Sequence, residues 1–172
     1  HVGMREVDAR ERYLELLKDS LTGIITGQVY APAKSRGAKA KILGLLDRGL
    51  SHWHLSIARK EEFDLAERLD GVTHPLLALT QVGRRRLGQL EEMIRTLLAE
   101  GIEGDVLEAG CWRGGTGIFL RGALDVLGGA ERTLWLADSF QGYPEPGPDA
   151  SPEDIKLYEQ SLYWTVSRAE VE

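Results

Sequence analysis

Residues Gly104 to Gly117, Gly-Asp-Val-Leu-Glu-Ala-Gly-Cys-Trp-Arg-Gly-Gly-Thr-Gly, constrain the fold more than any other stretch of the chain. A short apolar strand, Asp105 to Ala109, runs into a glycine-rich bend, and an apolar helix follows. That order builds the first corner of a doubly wound α/β sheet, where a ligand lies beyond the carboxyl end of the strand. A dinucleotide fingerprint sets a second glycine two residues after the first, so that a pyrophosphate reaches the backbone. Here Gly110 is followed at that distance by Trp112, whose indole fills the phosphate's space. A P-loop is excluded as well, because no Gly-Lys-Ser/Thr closes the turn. Glu108 before the bend, with no seat for phosphate, suits a ligand that carries a ribose and an ammonium group. S-adenosylmethionine fits best.

The remaining sequence limits the partners. With 172 residues, one domain with a helical appendage is expected. A net charge of −6 argues against a nucleic-acid surface, and Arg84-Arg85-Arg86 reads as a local basic spot at a helix start. No apolar run is long enough to span a bilayer and no signal peptide opens the chain, so no membrane partner and a cytoplasmic location are expected. His1-Val-Gly-Met4 reads as a tag scar (residues 1–4). The lone Cys111 allows no internal disulfide and reads as a packing residue of the bend.

Residues 5–100 read as a helical N-terminal region that supplies acceptor-side or dimer contacts. In Ala9 to Ile25, Leu14, Leu17, Leu21 and Ile24 recur at helical spacing. Gly27 to Gly37 reads as a mobile loop, and Lys39 to Leu50 and Ile57 to Leu69 as two shorter helices. A stronger helix is predicted from Val82 to Glu100, stopped by Gly101. Residues 101–172 then form the first βαβ part of the sheet: strand Asp105 to Ala109, helix Thr116 to Leu127, strand Thr133 to Ala137. Ser151-Pro152-Glu-Asp154 opens another helix, and Ser167-Arg-Ala-Glu170 is a capping box close to the last residue. Two parallel strands make an unfinished sheet, because such sheets are apolar on both faces. The chain is therefore expected to be the front part of a larger domain.

Among single residues, Glu108 at the strand tip reads as a ligand-contacting carboxylate, with a helix-capping acid as the alternative. Gly110, Gly114 and Gly115 let the backbone pass close to a ligand and turn into the helix. Asp138 ends the second strand, 28 residues after Gly110, where nucleotide folds place a ribose-binding carboxylate; an Asp-Ser turn with Ser139 is the alternative. His52-Trp53-His54 lacks a further ligand at metal spacing and reads as a helix boundary, and His74 before Pro75 as a turn residue. No metal site is expected in this chain.

At these residues the sequence resembles the macrocin O-methyltransferase-like (TylF/MycF) family, which methylates sugar hydroxyls of macrolides and related antibiotics. The likeness lies in Arg12-Tyr-Leu-Glu-Leu-Leu-Lys18, in Thr80-Gln-Val-Gly-Arg-Arg-Arg-Leu87, in Gly104 to Gly115 and in Leu134-Trp-Leu-Ala-Asp-Ser-Phe-Gln-Gly142. The resemblance implies a class I methyltransferase (Rossmann-like) fold. It also implies S-adenosylmethionine bound by Glu108, Gly110, Trp112, Arg113, Gly114, Gly115, Asp138 and Ser139 and by the Thr80-Gln81 region. The family commonly has methionine at Gln81 and histidine at Leu79. Its magnesium-ligand aspartates and general base follow later strands, and this chain has no Asp-Gly-Asp or Asp-Asp-Tyr run. Catalytic residues and Mg2+ are accordingly expected only with a C-terminal part. The implied partners are a glycosylated small-molecule acceptor and a second copy in a homodimer.

The implied reaction is in-line attack of a sugar oxygen on the sulfonium methyl, the protein aligning the two reactants. One rival reading is a catalytically incompetent methyltransferase-like module that binds a nucleotide or a partner through its open sheet edge. The other is an NAD-linked oxidoreductase, against which Trp112 speaks.

Overall fold

The computed structural model describes residues 8–27, 29–32, 38–55, 57–73, 77–161 and 165–172. Helix α1, Ala9–Leu21, starts where the Asp8 carboxylate accepts the Arg10 amide and buries Leu14, Lys18 and Leu21 along one stripe. It stops short of the predicted Ile25. Thr22 turns its hydroxyl back to the Lys18 carbonyl (2.7 Å), and Gly23 follows with φ +74°.

The N-terminal region is not purely helical. Strand β1, Val29–Pro32, pairs antiparallel with β2, Ala58–Glu61, in the register Val29↔Glu61 to Pro32↔Ala58. Between them run α2, Ala38–Leu50, and a 3-10 turn, Ser51–Trp53, closed by His54 with φ +57°. The predicted loop 27–37 thus contains a strand, and the predicted helix Ile57 to Leu69 divides into β2 and α3, Leu65–Asp70. Asp64 makes the division, because its carboxylate accepts the Ala66 and Glu67 amides and so opens a new helix there. Helix α3 ends at Gly71, φ +78°, which lies against Gly83 at the start of α4, Arg84–Ala99. A Cβ on Gly71 would stand 2.7 Å from the Gly83 nitrogen, so this crossing requires glycine.

The second half follows the expected order. Strand β3, Val106–Ala109, leads through the bend to α5, Gly115–Leu127, and β4, Leu134–Ala137, returns parallel to β3. Next come α6, Pro152–Ser161, and α7, Arg168–Val171, whose Ser167/Glu170 capping box is formed. Helices α1, α4 and α5 share the core through Leu14, Leu21, Leu87, Phe119 and Ala123. A second cluster, Ile94, Leu120 and Leu124, reaches Val106 and Leu134 and seats the sheet on α4 and α5. Complete burial of a side chain such as Phe119 contributes about 1.5–3 kcal/mol. The other side of the sheet leaves Leu107 66% and Trp135 58% exposed. Among the described residues no helix is long and apolar enough to cross a membrane.

Candidate functional site

The bend after β3 is shaped by three left-handed residues, Gly110 (φ +82°), Trp112 (+49°) and Gly114 (+76°). Gly110 donates its N–H to the Ala137 carbonyl (2.8 Å), which carries the parallel ladder one residue beyond the strands. A left-handed tryptophan is costly and needs a holder. Asp138, just past β4, supplies it: one carboxylate oxygen accepts the Trp112 N–H (3.1 Å) and the other accepts the Phe140 N–H (3.0 Å). These contacts, the Phe140 amide first, hold the Asp138 carboxyl below the usual carboxylate range. The Arg113 guanidinium lies over the Trp112 indole, 4.5 Å from its centroid, and donates to the Ala78 carbonyl.

Beyond the strand ends opens a cleft of about 810 Å³. Of the residues singled out in the sequence, Gln81, Gly110, Trp112, Asp138 and Ser139 line it. Ala137, Gly142 and Pro144 line it as well, and four more residues complete the lining: Tyr143 from the loop after β4, Leu157 from α6, and Thr165 and Val166. Sequence reasoning missed these four; the Gly/Pro loop after Asp138 was the one local signal near any of them. Thr165 sits close to Gly142, where a Cβ would meet its hydroxyl.

Thr80, Glu108, Arg113, Gly114 and Gly115 are not among the residues that line the cleft. The Thr80 hydroxyl shares a hydrogen bond with that of Thr116 (2.9 Å) and accepts the Val82 N–H. The two glycines give room to protein rather than to open space. A Cβ on Gly114 would stand 3.2 Å from Val171 Cγ1, and one on Gly115 would meet the Leu79 carbonyl, which already accepts the Gly115 N–H. Glu108 projects under the start of α5, where its Oε2 is buried without a hydrogen-bond partner among the described residues. Burial pushes its carboxyl above the ordinary range and the Asp138 charge adds to this, against the Thr116 hydroxyl and the Gly117 amide.

Other sequence candidates fall into structural places. Cys111 is buried, and burial together with the Asp138 and Glu108 charges raises its thiol pKa, which disfavours a nucleophilic thiolate. His52 and His54 are exposed at the 3-10 turn, and His74 lies outside the described residues. Arg84 pairs with Glu15 and Asp19, and Arg85 with Asp70. Among the described residues no group of three or more His, Cys, Asp or Glu side chains could hold a metal ion.

The model of the macrocin-O-methyltransferase (TylF) family matches residues 10–172. A Streptomyces olivaceus protein, 8-demethyl-8-(2,3-dimethoxy-alpha-L-rhamnosyl)-tetracenomycin-C 4'-O-methyltransferase, is 36% identical over 90% of this chain and 51% of its own length. Mycinamicin III 3''-O-methyltransferase of Micromonospora griseorubida is 43% identical over 52% of this chain and 35% of its own. The solved structure of the O-methyltransferase NovP superposes with a TM-score of 0.70 at 27% identity, over 94% of this chain and 56% of that one. That likeness carries the class I methyltransferase fold, of which the described residues form the first βαβ part. The chain spans about half the length of the first of these relatives.

Proposed function

The chain belongs to the macrocin O-methyltransferase (TylF) family, and from that premise we propose that its cleft binds S-adenosylmethionine and that the whole protein methylates a sugar hydroxyl of a natural product. One observation carries the reading: two carboxylates, Glu108 and Asp138, stand at the ends of adjacent parallel strands beside an indole rather than a bare glycine turn. Their joint negative potential favours a ligand that is cationic at its sulfonium and ammonium groups, and opposes a diphosphate. The Trp112 ring occupies the place where a pyrophosphate would meet the backbone of a dinucleotide fold.

Asp138, which binds the Trp112 and Phe140 amides and faces those of Cys111 and Ser139, also lines the cleft. It accepts the ribose hydroxyls. Gln81 lines the same cleft. Glu108 acts from beneath the bend, its Oε2, without a hydrogen-bond partner among the described residues, lowering the local potential for the cation. The donor, when bound, supplies an electrophilic methyl group. Trp112, Gly110, Asp138 and Ser139 hold and orient it at the strand ends, an alignment that contributes to rate by pre-paid entropy. Residues 101–172, together with Gln81, thus carry donor binding. The rhamnosyl group in the name of the Streptomyces relative supports a sugar acceptor.

Calorimetric titration tests the reading. S-adenosylmethionine is expected to bind with or without magnesium, NAD is not, and Asp138→Ala is expected to lose most of the affinity. NAD binding by a protein that ignores S-adenosylmethionine would overturn it.

A further inference from the structure

Arg68, in the middle of α3, is fully buried, yet among the described residues no carboxylate pairs with it. Its Nε donates to the Thr22 carbonyl (2.6 Å) and its Nη1 to that of Thr73 (2.7 Å). Its Nη2 donates to the carbonyls of Thr80 (3.0 Å) and Val82 (3.1 Å). Burial lowers the guanidinium pKa to about 10, which leaves it charged at neutral pH. A buried cation is expensive unless its donors are satisfied, and four carbonyls satisfy most of the five. The Thr22 carbonyl lies at the C-terminus of α1, where the helix dipole favours a positive charge.

Two of the four acceptors, on the strap Leu79–Val82, flank Gln81, which lines the cleft. The strap is fastened on its other side to the glycine bend: Leu79 accepts the Gly115 N–H, and Thr80 meets Thr116. The Gly71–Gly83 crossing brings α3 near enough for the guanidinium to reach Val82. We propose that Arg68 is a positioning residue of the cleft, pinning the Thr80 and Val82 carbonyls so that Gln81 faces the bound ligand. It touches no ligand itself. The inference rests on the reading of the cleft as the donor site.

The test is a double-mutant cycle, with the S-adenosylmethionine Kd measured by calorimetry for wild type, Arg68→Lys, Gln81→Ala and the double variant, each well below its melting temperature. One ammonium cannot serve four carbonyls in the guanidinium's planar geometry. Arg68→Lys is expected to weaken binding about tenfold, the size of one well-placed hydrogen bond, and to add nothing when Gln81 is already alanine. Equal losses in both backgrounds, or unchanged affinity in folded Arg68→Lys, would overturn the proposal. Should that variant not fold, wild type serves: the Arg68 Nε–H and Gln81 amide resonances are expected to shift with a common Kd during donor titration. A silent Arg68 resonance overturns it. Absence of donor binding by wild type strikes the reading of the cleft instead. Arg68 is then judged by the Gln81 amide exchange rate, which Arg68→Lys is expected to raise; an unchanged rate counts against it.

Discussion

Glu108 and Asp138 sit on adjacent strand ends and titrate in opposite senses. The folded state raises the Glu108 pKa, chiefly through burial. Its stabilising contribution is therefore complete below the unfolded pKa, about 4.3, and is lost as pH rises through the folded value. Glu108→Gln is expected to be more stable than wild type at pH 7 in urea unfolding while binding S-adenosylmethionine more weakly. A variant that is less stable at that pH would show the carboxylate to be structurally needed. Asp138 is lowered, first by the Phe140 amide, so its contribution is present above an unfolded pKa of about 3.9 and fades as pH falls through the folded value. Asp138→Asn sets an NH2 against one of the two amides and is expected to cost about 1–3 kcal/mol at neutral pH, a difference that shrinks under strong acid. Parallel unfolding series from pH 7 down to pH 3 measure it. At this scale Asp138 was legible because its distance from Gly110 and its place after an apolar strand are both local signals. Arg68 was not, since an arginine within Ala-Glu-Arg-Leu-Asp looks like any solvated helix face, and its carbonyl partners, from Thr22 far upstream to Thr80 and Val82 downstream, follow no local pattern.

Among the elements, α5 depends on what its first residue lacks. A methyl group at Gly115 would collide with the Leu79 carbonyl and disturb the hydrogen bond between them. Gly115→Ala is expected to lose about 1–3 kcal/mol, as overpacking does elsewhere, measured by the denaturant midpoint; an unshifted midpoint would show that the strap yields freely. Helix α2 presents the opposite case. Ile42, Leu45 and Leu46 are exposed, and the helix contacts the 3-10 turn after it more than any other element. Few buried apolar contacts mean low local stability. Backbone amides of α2 are expected to exchange with deuterium faster than those of α4 and α5, as read by mass spectrometry; equal protection would contradict this. The helices α1, α4 and α5 were readable from their apolar periods. The β1–β2 hairpin was not, because Ala58-Arg-Lys-Glu61 is built of good helix formers and the antiparallel partner, not intrinsic preference, decides its conformation.

For the whole molecule, the doubly wound corner was evident from one strand-bend-helix segment, since its glycines and apolar runs encode the order of elements directly. What closes the cleft was not, because Tyr143, Leu157, Thr165 and Val166 come from segments whose meeting point is set by tertiary packing. The result is a chain in which α1, α4 and α5 form a shared core while the strand ends, α6 and the segment before α7 surround the cleft. The placement of Trp112 gives this arrangement a built-in optical signal. Trp53 and Trp135 are largely open to water, whereas the Trp112 indole faces the cleft under the Arg113 cation. The fourth tryptophan, Trp164, lies outside the described residues, so in a Trp164→Phe background occupancy should alter the emission of the Trp112 ring while leaving the glow of the two exposed ones unchanged, a dye-free report of ligand entry that falls silent once Trp112→Phe is added.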